Sequence, residues 1–379
     1  MKIAIDVRPL QTSIKTGVGE YASELLTAVF SLYPEHEYFL CSSGTKPWSM
    51  PVAWQKPNIF SLHLSLPNKI INSAILLGNY PRLSVWPNLL GKKINFDWIY
   101  FPNLNFIAPE PRCKTIITIH DASFALFPEY FSIHRRLWHQ AVKPQKIINS
   151  VSKITTPSIS TLHDVTTLFN ISPEKTTVIY PGLCSEWVVP DVTQLEVVKK
   201  KYNLPDNFIL SLGAIEPRKN IQGAIMAFAE WQKNNPDATL IIAGAPGWKN
   251  KSIFSLIKKT PNVRFIGYVS DTEKPALYSL AQIFLYPSFY EGFGLPVLEA
   301  MRAGTPVITS HCSALPEVAG TAAYTVDPSR ISDVINGLEL FWDNKKMRIE
   351  YAERGQEQIT KFSWEKSARE FMKIINPPL

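Results

Sequence analysis

The sequence predicts an α/β protein built from two doubly wound parallel-sheet domains. Short runs of β-branched residues alternate with helical stretches along the whole chain, which favours parallel strands covered by helices. A length of 379 residues suits two domains, each large enough to bury its own core. A turn-rich stretch from Pro181 to Asp191 separates two series of strands, so we expect the domain boundary near residues 181–195.

The first series of elements belongs to the first domain. Ser158 follows Pro157 directly and suits the N-cap of a helix. Segment 42–96 is rich in Pro, Trp and Asn with poor periodicity, so we expect irregular structure there. The predicted strands are residues 2–6, 38–41, 97–100, 114–119, 154–157 and 177–180, with helices between them that include 19–32, 132–150 and 158–169.

The second series predicts a further doubly wound unit. The last stretch, from Phe362 onward, reads as an amphipathic helix with Trp364, Ala368, Phe371 and Met372 on one face. The predicted strands of this unit are residues 208–212, 239–243, 263–266, 283–286, 306–309 and 323–326.

Composition describes a soluble globular protein, with 45% hydrophobic residues and a mean hydropathy of -0.03. No run approaches the roughly 18 to 20 apolar residues of a membrane helix, and the first residues read as a buried strand rather than a signal peptide. We therefore expect a cytoplasmic location. The four cysteines lie far apart without metal-ligand or redox spacing, so reduced thiols are expected.

The net charge of +7 is concentrated in the first half of the chain. Residues 1–185 hold 17 Lys and Arg against 11 Asp and Glu, giving +6, and the remainder holds 22 against 21, giving +1. A basic first domain fits an anionic acceptor or peripheral contact with an acidic membrane, although a solvated basic face fits equally well. Without a dense basic cluster interleaved with aromatics, nucleic acid is not an expected partner.

One motif carries most of the functional information. Residues 286–310 read YPSFYEGFGLPVLEAMRAGTPVITS. Pro296 suits the first position of a helix, which makes the preceding turn a seat for an anion. We expect Glu291 in the loop and Glu299 in the first helical turn, where it can accept hydrogen bonds from sugar hydroxyls. The turn itself consists of Gly292, Phe293, Gly294 and Leu295.

This string resembles, almost residue for residue, the motif of Glu, seven residues, Glu that marks the retaining nucleotide-sugar glycosyltransferases of family 4. The resemblance implies the GT-B architecture, in which two facing Rossmann-like domains enclose an interdomain cleft. The implied parts are an acceptor-side domain at 1–185, a nucleotide-sugar domain at 186–361, and a helix at 362–379 that crosses back to the first domain.

The loop after strand 208–212 places two adjacent cations beside a helix start. Arg218 offers a planar fork and Lys219 a compact charge, a combination suited to a diphosphate. The segment from Gly213 resembles the phosphate-binding loop of the family, with Lys219 as the motif's lysine. Many members carry Arg where this chain has Ala214, so Arg218 must supply the second charge if the clamp has two.

Three further segments match the family pattern. His120 and Asp121 follow strand 114–119. The family pattern places such a His near the transferred sugar and its phosphate. Asp121 would orient the imidazole or the acceptor, or it would cap the following turn. Gly17 and Gly19 form an incomplete glycine loop that the resemblance directs towards the donor diphosphate and acceptor. Val269, in the loop after strand 263–266, would lie beside the nucleotide base.

The resemblance implies transfer of a hexose from a nucleotide diphosphate sugar to a glycan or lipid-linked glycan, with retention at the anomeric carbon. Glu291 would hold the donor sugar and Glu299 the ribose, with no cofactor and no divalent metal. The motifs look most like bacterial mannosyltransferases that use GDP-mannose, as in surface polysaccharide synthesis.

Several alternatives remain open at this point. Glucosyl- or rhamnosyltransferases using UDP, ADP or dTDP sugars share the motifs, and a GT-B nucleotide-sugar epimerase or a non-catalytic nucleotide-sugar-binding module would also carry them. A glycosidase would need two carboxyls flanking one bond; the sequence does not exclude Glu291 and Glu299 as that pair, but their different settings suggest separate roles. An NAD-dependent oxidoreductase is disfavoured because the full glycine fingerprint is missing.

Overall fold

The computed structural model divides the chain into two compact units. Each unit contains one fully parallel sheet, which confirms the predicted fold class. The structure describes residues 1–11, 17–183 and 187–376. Unit 1 comprises Met1–Ala125, Ile133–Gly182 and Ser363–Leu379, and unit 2 comprises Leu126–Ser132 and Leu183–Phe362.

Unit 1 is built on a seven-stranded sheet. Its strands are β1 (Lys2–Asp6), β2 (Glu37–Ser43), β3 (Ile59–Leu64), β4 (Trp98–Phe101), β5 (Lys114–Thr118), β6 (Lys153–Thr156) and β7 (Thr176–Val178). They lie in the order β3-β2-β1-β4-β5-β6-β7. Ala4 packs into one core cluster, while its neighbours Ile3 and Ile5 pack into another. Both faces of this sheet are therefore covered, as its hydrophobic strands predict.

The helices of the first half mostly follow their predicted positions. Ser158 Oγ accepts a hydrogen bond from Thr161 N at 3.0 Å, which confirms the N-cap. The predicted helix at 132–150 is instead two helices, which are separated at Lys143, where φ is +54°. Lys143 precedes Pro144, and the proline ring disfavours the α-helical conformation in the residue before it. The helices are α1 (Gly17–Leu32), α2 (Asn68–Gly78), α3 (Trp86–Leu89), α4 (Ser123–Leu126), α5 (Ile133–Val142), α6 (Pro144–Ser150) and α7 (Ile159–Phe169).

The prediction of irregular structure at 42–96 is wrong, because this segment contains β3, α2 and α3. In α2 only Ile71 and Ile75 are buried, while Ile70 and Leu77 are exposed. Apolar residues on both faces of the helix hide the 3.6-residue period on which the prediction depended.

Unit 2 has a six-stranded sheet, and all six predicted strands are confirmed. They are β8 (Ile209–Leu212), β9 (Leu240–Ala243), β10 (Val263–Gly267), β11 (Ile283–Tyr286), β12 (Val307–Ser310) and β13 (Ala323–Val326). The order is β10-β9-β8-β11-β12-β13. The chain reverses its direction of winding between β8 and β11, and ligands of doubly wound sheets bind at the carboxyl ends of the strands at such a point.

The helices of unit 2 alternate with these strands. They are α8 (Val192–Lys201), α9 (Ile221–Trp231), α10 (Lys251–Lys259), α11 (Lys274–Leu280), α12 (Leu295–Arg302), α13 (Leu315–Ala319), α14 (Ile331–Trp342) and α15 (Lys345–Ile359). Among the residues that the structure describes, no helix is both long enough and apolar enough to cross a membrane.

The last helix, α16 (Trp364–Ile375), packs on unit 1. Its buried face carries the predicted Trp364, Ala368, Phe371 and Met372, which share a core cluster with β1 and α1. A Cβ atom at Gly182 would lie 2.4 Å from Trp364 N, so the helix start sits directly on this glycine. The amphipathic pattern therefore identified the packing face correctly.

Candidate active site

The loops after β8 and β11 form the centre of the candidate site in unit 2. The first loop ends in a 3-10 turn, Pro217–Lys219, and the second carries Glu291. Phe289 N donates to the carbonyl of Arg218 at 2.9 Å, which ties the two loops together. The topology thus explains why residues 73 positions apart in sequence converge at the point where the sheet changes its direction of winding.

Glu291 is bonded to both predicted cations. Its Oε2 accepts from Arg218 Nη1 at 2.8 Å, and its Oε1 accepts from Lys219 Nζ at 2.6 Å. Tyr286 OH donates to the same Oε1 at 2.8 Å and accepts from Lys219 Nζ at 2.5 Å. All three charged side chains are largely buried, with 7%, 14% and 12% exposure for Glu291, Arg218 and Lys219.

Arg218 makes further bonds that fix its position. Its Nη1 also donates to the carbonyl of Tyr290 at 2.7 Å, and its Nε and Nη2 donate to Glu216 Oε1 at 3.1 and 2.9 Å. Glu216 is buried, with 2% exposure. Two carboxylates and two cations therefore balance within one network, which lowers the cost of burying them.

The electrostatics of the network keep Glu291 ionised. Burial, the largest influence, opposes ionisation of Glu291, but the charges of Arg218 and Lys219 and their hydrogen bonds prevail and lower its pKa to about 2. Burial lowers the pKa of Lys219, and the Glu291 carboxylate opposes that change. Burial raises the pKa of Glu216, against the attraction of Arg218.

The helix that follows the glycine turn begins at Leu295, one residue earlier than predicted. Pro296 is therefore its second residue, and Glu299 lies just beyond the first turn, so the first-turn prediction for Glu299 is wrong. Tyr278 OH donates to Glu299 Oε2 at 2.7 Å, and Lys274 Nζ lies 3.9 Å from its Oε1. Glu299 is thus a buried, oriented carboxylate on α12.

The predicted donor-binding positions of unit 2 are mostly buried, and two of its glycines lie close to neighbouring side chains. Gly294 has φ +114°, and a Cβ there would lie 2.7 Å from Leu315 Cδ2, so the turn requires glycine. A Cβ at Gly213 would lie 3.7 Å from the Tyr286 ring, directly beneath the network. Gly292, Phe293 and Gly294 are buried, Leu295 is half-buried, and Val269 is 3% exposed.

His120 and Asp121 lie at the carboxyl end of β5 in unit 1. His120 Nε2 donates to the carbonyl of Pro102 at 2.8 Å, which leaves Nδ1 as an acceptor. Burial lowers the pKa of His120 more than the Pro102 bond and Asp121 raise it, so the ring is neutral near pH 7. Asp121 Oδ1 accepts from Ser123 N at 3.0 Å and Ser123 Oγ at 2.6 Å; of the predicted roles, the capping of the following turn is the one observed.

Gly17 and Gly19 lie inside the first turns of α1 rather than in a loop before it. Thr16, which precedes them, is outside the described residues. The same helix places Tyr21 edge-on against His120, with ring centroids 4.9 Å apart. The glycines therefore belong to the helix start that packs beside His120.

Sequence reasoning assigned no role to several residues that complete these groups. Glu216 lies two residues before Arg218, and Tyr286 lies five residues before Glu291. This closeness in sequence to predicted site residues was the only indication that either belongs to the site. Tyr278 on α11 had no signal, because its contact with Glu299 depends on the packing of two helices. Within the described ranges, no group of three or more His, Cys, Asp or Glu side chains is arranged to hold a metal ion.

Two family models match the chain. The model described as Glycosyltransferase Family 4 matches residues 41–186, and the model described as Glycosyl transferases group 1 matches residues 194–358. O-antigen chain mannosyltransferase B of Escherichia coli is 31% identical over 96% of this chain and 97% of its own length. Serotype-specific mannosyltransferase WbdA of Escherichia coli is 32% identical over 56% of this chain, which corresponds to 27% of that longer protein.

Solved structures share the fold over almost the whole chain. Sucrose-phosphate synthase from Thermosynechococcus elongatus superposes with a TM-score of 0.76 at 17% identity, covering 99% of this chain and 98% of that one. Anabaena Alr3699/HepE, solved in complex with UDP and glucose, gives a TM-score of 0.71 at 16% identity, covering 100% and 99%. At these identities the similarity concerns the fold.

Proposed function

Because the chain belongs to glycosyltransferase family 4 and has the GT-B fold, we propose that it transfers mannose from GDP-mannose to a glycan or lipid-linked glycan, with retention at the anomeric carbon. The observation that carries the proposal is the buried network of Arg218, Lys219 and Glu291 at the start of α12. It combines fixed positive charge for a diphosphate with an ionised carboxylate for a sugar hydroxyl.

In the proposed reaction, the bond between C1 of the sugar and the β-phosphate oxygen breaks, and its electron pair stays on that oxygen. The acceptor hydroxyl oxygen bonds to C1, and its proton passes to the departing phosphate oxygen. Lys219 stabilises the negative charge that develops there, together with the positive end of the α12 dipole. No step in this scheme requires a cofactor or a divalent metal.

The network suggests different roles for the two cations. Arg218 is engaged by Glu216, Tyr290 and Glu291, so in this proposal it holds the loop and the carboxylate in place. Lys219 Nζ has three donors, of which Glu291 and Tyr286 engage two, and the third is assigned to the donor phosphate. Glu291 would then accept a hydrogen bond from a hydroxyl of the sugar.

The surroundings of His120 and of Glu299, each within its own unit, suit the roles proposed for them. Neutral His120 presents Nδ1 as an acceptor, which suits a sugar hydroxyl better than a phosphate oxygen, since a phosphate oxygen requires a donor. Glu299, oriented by Tyr278, would accept from the ribose hydroxyls.

The assignment of mannose is supported by the names of the two relatives, both mannosyltransferases at over 30% identity. Because the first of them is an O-antigen chain enzyme, we infer an acceptor in surface polysaccharide synthesis. The Anabaena complex with UDP and glucose favours glucose transfer from a UDP sugar as the second candidate.

Donor identity is tested first by thermal unfolding with GDP, UDP, ADP, dTDP and their sugars. A ligand at 100 times its Kd stabilises by about 2.7 kcal/mol, and we expect GDP and GDP-mannose to give the largest shifts. A larger response to UDP and UDP-glucose would replace mannose with glucose, and no response to any nucleotide would overturn the proposal.

Turnover then separates an enzyme from a binding module. With the donor that binds, we expect slow hydrolysis without acceptor and transfer to lipid-linked glycan extracts, unaffected by EDTA. NMR of the product should show the anomeric configuration of the donor. An inverted product, an epimerised nucleotide sugar, or binding without turnover would each contradict the proposed reaction.

The proposal includes peripheral contact of unit 1 with an acidic membrane, and two acid-free stretches support it. Residues 38–96 contain six Lys and Arg and residues 130–163 contain five, with no Asp or Glu in either. The same stretches expose large apolar side chains on α2 and α5, including Leu77 at 87%, Ile133 at 66% and Leu137 at 57%. Exposed apolar side chains among basic residues fit an anionic bilayer.

Vesicle co-sedimentation tests this surface. We expect the protein to bind vesicles containing phosphatidylglycerol and to bind pure phosphatidylcholine weakly, with the difference decreasing as salt rises. The double variant Ile70→Ser, Leu77→Ser on α2 should lose most of the binding. The matched control is Val192→Ser, Val197→Ser on α8 of unit 2, whose residues are 73% and 59% exposed. Equal loss in both double variants would contradict the assignment.

A further inference from the structure

A short segment from the first half of the chain packs on unit 2 beside the candidate site. Leu126–Ser132, here called the docking segment, belongs to unit 2 although the residues on both sides of it belong to unit 1. Trp248 Nε1 donates to the carbonyl of Tyr130 at 2.7 Å, and Lys249 Nζ donates to the carbonyl of Glu129 at 2.5 Å. These bonds hold the segment by its backbone.

The docking segment also contributes three aromatic rings to unit 2. Phe131 stacks on Trp248, with centroids 5.6 Å apart. Phe127 contacts the ring of Tyr290 at 5.4 Å, and Tyr130 stacks on Phe289 at 6.3 Å. Aromatic pairs at such distances stabilise their geometry beyond simple burial of area.

Phe289 and Tyr290 immediately precede Glu291. Arg218 holds this loop, because its backbone carbonyl accepts from Phe289 N and its guanidinium donates to the Tyr290 carbonyl. The rings of Phe127 and Tyr130 pack against those of Tyr290 and Phe289. Both sets of contacts therefore restrain the backbone from which the Glu291 side chain projects.

We propose that the docking segment is a positioning element for Glu291, and that Phe127 and Tyr130 are its positioning residues. A displacement of about 1 Å of a carboxylate that contacts the donor sugar can reduce turnover on the order of 100-fold. In this proposal the docking segment acts on sugar recognition through the position of Glu291. This inference rests on the proposed function of Glu291 as holder of the donor sugar.

The inference separates sugar recognition from nucleotide recognition. In Phe127→Ala we expect kcat for transfer to fall at least tenfold and the affinity for the nucleotide sugar to fall, while the affinity for the free nucleoside diphosphate changes less than twofold. Phe127→Leu, which retains apolar volume, should recover most of the activity. Equal losses of affinity for the nucleotide and the nucleotide sugar would overturn the inference.

Phe254→Ala is the matched control. Phe254 is also partly buried in unit 2 and makes an edge-on contact with Phe265 at 5.0 Å, so its removal costs a similar aromatic pair on a different part of the unit. We expect its kinetic constants to stay within twofold of the wild type. A similar kinetic loss in Phe254→Ala and Phe127→Ala would reduce the effect to general destabilisation and overturn the inference.

Hydrogen exchange provides a measurement that does not depend on the donor. The amides of Phe289 and Glu291 are bonded to the Arg218 carbonyl and to Ser313 Oγ. Phe127→Ala should accelerate exchange in a peptide covering residues 287–292 at least tenfold, and Phe254→Ala should not. Unchanged exchange would overturn the inference, whereas a wild-type protein that turns over no nucleotide sugar would refute the proposed function alone.

Discussion

Replacing Glu291 by Gln tests whether the buried network stabilises unit 2. The substitution keeps the shape of the side chain but removes the charge that faces Arg218 and Lys219 at 2.8 and 2.6 Å. Glu216 remains to balance only one of the two cations. A buried cation without a partner is costly, so the variant should be clearly less stable than the wild type.

The magnitude follows from the pKa of Glu291, which the network lowers from 4.5 to about 2. At about 1.36 kcal/mol per unit, this corresponds to about 3 kcal/mol of stability at pH 7. Loss of one partner of a buried ion pair generally costs about 3 to 5 kcal/mol. We expect the lower end, because Glu216 continues to compensate Arg218.

The same pKa determines how the effect depends on pH. A lowered pKa in the folded state gives stability that is fully present above the unfolded value near 4.5 and is lost as pH falls towards about 2. Between pH 7 and pH 3.5 the wild type should lose about 1.4 kcal/mol through this group. Glu291→Gln cannot titrate there, so the difference between the two proteins should shrink by that amount.

The difference in unfolding free energy between the wild type and Glu291→Gln is measured by pulsed hydrogen exchange in a series of urea concentrations. Exchange is followed in peptides of unit 2, so the measurement does not assume that both units unfold together. Glu353→Gln is the control, since Glu353 lies exposed on α15, and we expect its effect to stay within about 0.5 kcal/mol. A difference below about 1 kcal/mol for Glu291→Gln at pH 7, or one that does not change with pH, would refute the reasoning.

Three further outcomes follow from individual contacts. Lys219→Ala should lower kcat for transfer about 100-fold in steady-state assays, and unchanged turnover would contradict its role at the phosphate. Tyr278→Phe removes the hydrogen bond to Glu299 and should weaken GDP binding about fivefold by calorimetry, the effect of losing about 1 kcal/mol. Gly294→Ala places a Cβ 2.7 Å from Leu315 at φ +114°; urea unfolding of unit 2 should show a loss of about 2 kcal/mol.

The fold could be predicted because parallel strands in doubly wound sheets are short, apolar and regularly spaced. All six strands of unit 2 lie within two residues of their predicted bounds. The pattern failed at α2, where apolar residues cover the exposed face as well as the buried one. It also failed at Lys143, because a single left-handed residue before a proline divides a helix whose periodicity continues past it.

For the candidate site, sequence supplied the charged residues but not their connections. The sequence and its resemblance to the family predicted separate roles for these residues, Arg218 and Lys219 as a phosphate clamp and Glu291 as a holder of the donor sugar. The structure joins them in one network, since the loops after β8 and β11 meet where the sheet changes its direction of winding. Such a pairing depends on strand order, and nothing in the local sequence encodes it.

The network of Glu216, Arg218, Lys219 and Glu291 has a consequence for how a donor diphosphate would bind. Glu291 and Glu216 neutralise Arg218 and Lys219, so the charges of these four side chains balance one another. In the proposed binding mode a diphosphate shares Lys219 with Glu291 and Tyr286, and three acceptors on one ammonium are compatible because Nζ has three donors. The additional anion favours the charged form of Lys219, in opposition to burial. In the proposed reaction, donor binding and the charge that stabilises the leaving group therefore strengthen each other, and Glu291 holds that charge in place.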